Sequence, residues 1–421
     1  MPTSGASLSS GTSPAPGAKP AHGVECELLG HVAGSEKYLG GVLGADGCVY
    51  AVPGKAPRVL KIVPKTGEVV TIGPAWRGSF KWLRGVRCGH KIYCIPCHHE
   101  RVLKIDTSTG EVALIGDSYA GLFKWHGAVV AADGCSVFCI PQKAERVLRI
   151  DATSDTTSLI GPSLGAMHNK WYGGLRSPDG AIWGVPTNAS ACLKIVPHGA
   201  SATVSLVGSF SPGGYKWHGG VVAPDGCVWG IPANADTLLR IVPGGGVDGE
   251  DIAVQISGPI LSGQHRTDGK YKYLGAVLAR DGSIICFPSD ADFVLRIDTE
   301  TGSAHTIGGS LRAMERIEQN KWQNGFLGLD GCVYGIPLKA ESILRVVPET
   351  GEVSTIQPCG PLVGLNKWEG GVEVDGVLFC MPLKARSVLS IAPPRDGRDA
   401  ERKQPATLGD GTISWAQCMT D

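Results

Sequence analysis

An eightfold repeat, a hairpin signal inside each copy and room for four short strands per copy together predict an all-β fold. They predict an eight-bladed β-propeller of four-stranded antiparallel blades, closed by an N-terminal strand. The repeat reads most clearly at Lys216-Trp217-His218-Gly219-Gly220-Val221-Val222-Ala223-Pro224-Asp225-Gly226-Cys227-Val228-Trp229-Gly230-Ile231-Pro232. Its Lys-aromatic pair recurs at Lys37-Tyr38, Lys81-Trp82, Lys124-Trp125, Lys170-Trp171, Lys216-Trp217, Lys272-Tyr273, Lys321-Trp322 and Lys367-Trp368. Successive pairs lie 43 to 56 residues apart. Pro53, Pro96, Pro141, Pro186, Pro232, Pro288, Pro337 and Pro382 keep the same step.

Each copy contains the same elements in order. The apolar run Val221-Val222-Ala223 is a first strand, and Asp225-Gly226 is a tight hairpin turn that needs positive φ. Cys227 to Ile231 is the second strand, and Pro232 stops it because proline has no amide proton to give. Leu238-Leu239-Arg240-Ile241-Val242 is the third. A fourth follows, as in Glu111-Val112-Ala113-Leu114-Ile115. The runs are apolar on both faces, so each sheet should be covered on both sides. A helical array of the same period would need a sustained 3.6-residue pattern, and none is present. Most of the 10 Trp stand at repeat positions, where they offer flat surfaces between blades.

At Asp-Gly-x-(Val/Ile)-(Tyr/Trp) followed by Val-Leu-(Lys/Arg)-Ile, the repeat resembles β-propeller families of the streptogramin-lyase and gluconolactonase type. Kelch-like propellers are the second choice, although Gly-Ile-Pro stands where kelch repeats carry paired glycines. The resemblance spans residues 24–392. It implies the fold and carries over no catalytic residue, because no position matches the lyase active-site set.

The chain has 39 basic and 39 acidic side chains in 421 residues. A neutral balance argues against nucleic acid or an anionic membrane as partner. No apolar run reaches the ~20 residues of a membrane span. Residues 1–23 are Ser, Pro, Gly and Ala-rich, lack an apolar signal region and read as a disordered arm. Residues 24–392 form the propeller, and 393–421 are a charged tail with room for one strand. The 14 cysteines are read as small apolar fillers. Cys48, Cys135, Cys227 and Cys332 follow the turn glycine, whereas Cys94, Cys139, Cys286 and Cys380 alternate with Ala or Gly before the proline. That points to a reducing, cytoplasmic setting.

Ring closure has two candidates. Glu25-Cys26-Glu27-Leu28-Leu29 reads as a fourth strand without its first three and would complete the last blade. Ala406-Thr407-Leu408-Gly409 is the rival. In the second copy, Cys88, His90, Cys94, Cys97, His98 and His99 invite a zinc site, with Cys94, Cys97 and His98 the subset that could meet a metal from elsewhere. The strand between them separates their ends by ~20 Å, too far for one tetrahedral centre. Gly244 to Gly249 matches a dinucleotide fingerprint and Gly161 to Gly165 a nucleophile elbow. Both lack the helix those motifs need. Ser310 to Gln319 suggests a short helix before the seventh copy.

The loop before each first strand and the loop after each second strand must open on one face. Candidate ligand groups gather there. Asn188, Asn234, Asp236, Asp290 and Asp292 offer oxygens suited to Ca or Mg. The eight repeated lysines are either a cationic ring for an anion or sugar, aided by Trp125, Trp171 and Trp217, or structural cation–π partners of aromatic rings on neighbouring blades. His126, His218 and Glu369 are the titratable residues directly after the aromatic. No nucleophile–base pair stands out, so the leading expectation is a non-catalytic, monomeric scaffold binding a protein or peptide through this face. The alternative is a metal-dependent lactonase, hydrolase or lyase.

Overall fold

The computed structural model describes residues 21–261, 263, 268–395 and 412–413. Eight antiparallel sheets follow one another, and within the first seven the strands lie side by side in chain order. The first blade is Tyr38–Leu43, Val49–Pro53, Val59–Val63 and Glu68–Ile72. First strands pack on first strands around the axis, and the eighth packs back on the first, so the ring is closed. First and second strands are buried almost throughout, whereas the fourth strand of the first blade alternates exposed and half-buried. Burial on both faces accounts for the unbroken apolar runs of the sequence.

Closure follows the N-terminal route. Glu25–Leu29 pairs antiparallel with Val388–Ala392 over five residue pairs and becomes the outer strand of the eighth blade. Joining the chain ends in one sheet removes the two edges that an open array would leave. Ala406 to Gly409 and residues 1–20 lie outside the described residues. The two residues Thr412–Ile413 pair with the opposite, channel-side edge of the eighth blade, at Val372 and Gly371. The helix expected near Ser310 is a single 3-10 turn, Leu311–Ala313, too short to propagate.

Tryptophans sit between blades as expected. Trp82 packs with Val42, Tyr50 and Val52 of the blade before it, and its Nε1 donates to Arg101 O at 2.9 Å. Burying such a ring contributes on the order of 2–3 kcal/mol.

The blades are also tied by a closed circuit of backbone hydrogen bonds around one mouth. The amide of each repeated lysine donates to the residue after the preceding blade's proline, and that residue's amide donates to the preceding lysine's carbonyl. Thus Lys81 N bonds Gly54 O, Gly54 N bonds Lys37 O, Lys37 N bonds Leu383 O, and Leu383 N bonds Lys367 O. The pattern continues through Leu338, Lys321, Ser289, Lys272, Ala233, Lys216, Thr187, Lys170, Gln142, Lys124 and Cys97 back to Lys81. The residue before each lysine turns left-handed to enter this circuit: Glu36, Phe80, Phe123, Asn169, Tyr215, Tyr271, Asn320 and Asn366 all have φ between 48° and 53°.

The lysine side chains seal the same seams. Lys81 Nζ donates to Gly54 O at 2.9 Å, Ala56 O at 2.8 Å and Gly78 O at 3.3 Å. Lys37, Lys124, Lys170, Lys216 and Lys367 repeat the arrangement, each reaching at least two carbonyls of the preceding blade. Lys321 reaches Ser289 O and Glu318 O, and Lys272 reaches Gly269 O. The cations of Lys81, Lys170, Lys216 and Lys367 also stand 5.8–5.9 Å from their own following Trp. The structural role expected of these lysines is therefore met mainly by carbonyl oxygens, with the adjacent ring, not a neighbouring blade's, as the second partner. Burial lowers all eight to about 8.

The filler cysteines stay unpaired. Cys48, Cys94, Cys139, Cys227, Cys286, Cys332 and Cys380 are free and buried, and Cys135 is free and half-buried. Two cysteines outside those slots are bonded instead: Cys26 of the closing strand and Cys359, with Cα atoms 6.0 Å apart. The bond separates these two from the filler role and weakens the argument for a reducing compartment. Among the described residues no helix is long and apolar enough to cross a membrane.

Removing one lysine seal should cost measurable stability. Lys81→Met keeps the stem and removes the side-chain donor from the buried Ala56 O, while Gly54 O keeps the Lys81 amide, so unfolding in urea should show a loss of about 1–3 kcal/mol. Lys55→Met, at an exposed position, should change it by no more than about 0.5 kcal/mol.

Candidate functional site

The candidate site lies at the axis, just inside the mouth ringed by the lysine circuit. The residue after each aromatic points here: Leu39, Leu83, His126, Tyr172, His218, Leu274, Gln323 and Glu369, all buried. Two arcs result. Leu39, Leu83, Cys97, Leu338 and Leu383 form one apolar cluster, with Phe80 and Phe123 packed on it. On the other arc His126 meets Tyr172 edge-on at 4.3 Å, and Tyr172 lies 4.9 Å from His218. Asn169 Oδ1 accepts from Gln142 Nε2 at 2.6 Å and from Tyr172 OH at 3.4 Å. Asn169 Nδ2 also donates to Tyr215 OH.

A bulge in every first strand aims these side chains. Register slips between the aromatic and the third residue after it in all eight blades. The second residue after the aromatic turns left-handed. Six blades place glycine there: Gly40, Gly127, Gly173, Gly219, Gly275 and Gly370. The other two place Arg84 at φ 68° and Asn324 at φ 62°. A side chain in this conformation costs on the order of 1 kcal/mol, and such strain concentrates at functional positions. Both side chains lean over the glycine of an adjacent blade: Arg84 Cγ reaches Gly127, and Asn324 Oδ1 takes the space of a Cβ at Gly275.

Arg84 and Glu369 come from blades two and eight and meet across the first. Arg84 Nη2 stands 3.5 Å from Glu369 Oε1, with both side chains at most 6% exposed. Burial pushes the Glu369 carboxyl up to about 7, against the opposing pull of the Arg84 guanidinium. Burial, assisted by the Arg84 charge, lowers His218 to about 3 and keeps it neutral at physiological pH. The mouth therefore holds a near-neutral acid, a fixed cation and a neutral imidazole in a setting shielded from water.

Of the residues singled out from sequence, His126, His218 and Glu369 converge on this site. Trp125, Trp171 and Trp217 do not; they are buried between blades with Nε1 bonded to carbonyls. The eight lysines hold seams, as described. Asn188, Asn234 and Asp290 repeat one position on blades four to six. Each accepts an amide of the next link, from Tyr215, Tyr271 and Asn320 respectively, at 2.7–2.9 Å. Asp236 is exposed, and Asp292 is buried in the same link as Asp290. The oxygens of Asn188, Asn234 and Asp290 are thus each engaged at a separate seam. Among the described residues no three His, Cys, Asp or Glu side chains form a metal position. The histidines of the second blade are dispersed too: His98 stacks edge-on to Phe123 and His99 stacks on Trp82. Sequence reasoning missed Arg84 and Asn324. The signal was present, as Trp-Leu-Arg and Trp-Gln-Asn interrupt a column of aromatic-x-Gly.

The Glu369 shift has a defined sign in stability. Its folded value lies above the unfolded one, 4.5 against about 7. The native state thus keeps a proton that the unfolded chain has released. The contribution is full below 4.5 and is lost as pH rises through 7. His218, with a lowered value, acts oppositely: its contribution is lost as pH falls from 6.5 toward 3. The difference in Tm between the protein and Glu369→Gln should therefore change between pH 5 and pH 8, with wild type losing ground as pH rises; parallel curves would refute the assignment.

No protein-family model matches the chain, and no curated protein matches it. Solved structures do. The chain is similar to virginiamycin B lyase from Staphylococcus aureus, in a catalytically inactive His-to-Ala form with quinupristin. The two share 14% identity over 88% of this chain and 99% of that chain, with a TM-score of 0.55. A streptogramin B lyase structure shares 12% identity over 79% of this chain and 98% of that chain, at a TM-score of 0.54. The periplasmic gluconolactonase of Pseudomonas aeruginosa shares 14% over 85% and 99%, at 0.51. At these identities the likeness is one of fold: the chain is a β-propeller built like those of lyases and lactonases.

Proposed function

We propose that the axial mouth is an acid–base site for a small ligand bearing a carbonyl or carboxylate, in an enzyme of the lyase or lactonase kind. The observation that carries this reading is the buried Arg84–Glu369 pair on a strained bulge, with Glu369 held at about 7. An acid with a value near the working pH serves both directions of proton transfer. Glu369 takes a proton from the ligand carbon next to a carbonyl, or from water. Arg84, 3.5 Å away, faces the negative charge that develops on the carbonyl oxygen. The proton then passes to the oxygen that leaves as its bond to carbon breaks. Tyr172, His126 and His218 orient the ligand, and the leucine arc excludes water and strengthens each charge. The lyase and lactonase neighbours support the class. The Cys26–Cys359 bond favours a compartment where thiols oxidise over the cytoplasm.

A second reading, an interaction scaffold using the mouth face, is favoured by a separate observation. Leu122, Met167, Leu261, Met314, Val363 and Leu365 are exposed, and all lie in the blade-linking loops of that face.

The enzyme reading is tested by incubating the protein with gluconolactone and with quinupristin. One of the two should be consumed, with an activity rising through pH 7 on its acid limb. Glu369→Gln should lower kcat by about 100-fold or more. Arg84→Gly, which restores the residue used by six blades, should fold normally yet lose most activity. Turnover unaffected by both substitutions would remove the axial site from consideration, and no turnover with either compound would favour the scaffold.

A further inference from the structure

Between the closing strand of the eighth blade and the link that enters this blade lies a groove of about 330 Å³. One wall is Leu28 of the closing strand, and the other is Val363 and Leu365 of the link entering the eighth blade. These three are 55%, 71% and 63% exposed. Single exposed apolar residues are ordinary, whereas three lining one groove mark a recognition surface. Trp368 and Lys367 also line it, but their polar atoms are engaged. Trp368 Nε1 donates to Ser387 O, and Lys367 Nζ donates to three carbonyls.

The rim is cationic. Lys384 and Arg386 border the groove. Glu36 lies 3.9 Å from both Lys384 and Lys55, and Glu27 precedes Leu28 on the closing strand. Of the residues that line the groove, the charged ones are Lys367, Lys384 and Arg386 and none is acidic, so its rim is basic although the chain as a whole is neutral. The groove also runs along an edge. Glu25–Leu29 is the outermost strand of its blade, so its outward backbone groups can pair with an added strand. Backbone pairing would supply affinity and the groove would select side chains.

The two walls come from opposite ends of the chain, and a covalent bond joins them. Cys26 lies two residues before Leu28, and Cys359 four before Val363. Their disulfide spans a sequence separation of 333 and packs in one cluster with Val24, Leu362 and Ile391. It fixes the closing strand against the link, and with it the spacing of the groove.

We propose that this groove docks an extended peptide segment of a partner protein, apolar with interspersed acidic residues, and that the Cys26–Cys359 bond holds it in binding shape. The proposal rests on the interaction reading and is independent of the axial chemistry. Two fluorescein-labelled probes test it on the full oxidised chain by anisotropy: a decapeptide alternating Leu and Glu, and its Leu and Lys counterpart. The acidic probe should bind with a Kd on the order of micromolar, and the basic one at least tenfold more weakly. Lys384→Glu with Arg386→Glu should reverse that preference, and Val363→Asp should weaken the acidic probe about tenfold. Cys26→Ser and Cys359→Ser should each weaken it several-fold with an unchanged circular dichroism spectrum, whereas Glu369→Gln should bind like wild type. Equal binding of both probes overturns the acidic class while leaving an interaction surface. Binding of neither overturns docking at this seam, and full binding by both serine variants overturns the role of the disulfide.

Discussion

The circuit of amide-to-carbonyl bonds around the mouth is the constraint on which the rest of the ring depends. It crosses every seam, and it closes on itself only because the chain makes a whole number of turns. At each crossing the lysine contributes its backbone, and in seven blades its side chain too reaches a carbonyl of the preceding blade, so one residue joins two sheets that share no ladder. A charge buried among three carbonyl dipoles is held in one place, because any displacement would leave the cation or the oxygens unsatisfied. The left-handed residue ahead of each lysine is the local cost of that geometry. The aromatic behind it fills the wedge between sheets.

Rigidity at the mouth explains where chemistry can be placed. A ring of identical crossings holds eight first strands at the same height, and the bulge after each aromatic aims one side chain per blade at the axis. Substituting those positions leaves the seams untouched, so they are free to vary. Three blades contribute leucine, and the others contribute His126, Tyr172, His218, Gln323 and Glu369. The two positions that break the glycine column do so at the expense of backbone strain, and each lays a polar side chain over the glycine of an adjacent blade. Strain, burial and a shifted carboxyl then coincide at Arg84 and Glu369, which is the combination expected of a working site more than of a packing one.

Closure by the N-terminal strand couples the two ends of the chain through one blade. Among the described residues the eighth sheet is the one built from distant segments, and it is also where the disulfide and the apolar groove occur. A seam that must be assembled last benefits from a covalent tie, since the pairing it secures has the largest loop to close.

Much of the fold was legible in the chain itself. Asp-Gly turns, terminal prolines and an even spacing define blades because each is a local demand on φ, on an amide proton or on length. The blade count and the closing strand followed from them. The lysines could be recognised as repeated but not as seam donors, since their acceptors lie about 27 residues away across a boundary that only packing creates. Asn188, Asn234 and Asp290 looked like ligands for the same reason: their amide partners belong to the next blade. Arg84 and Glu369 are 285 residues apart and become neighbours only when the ring closes. Local stereochemistry therefore determined the repeating unit, and tertiary structure alone decided which of its variable side chains share an environment, because that depends on the curvature and closure of the whole.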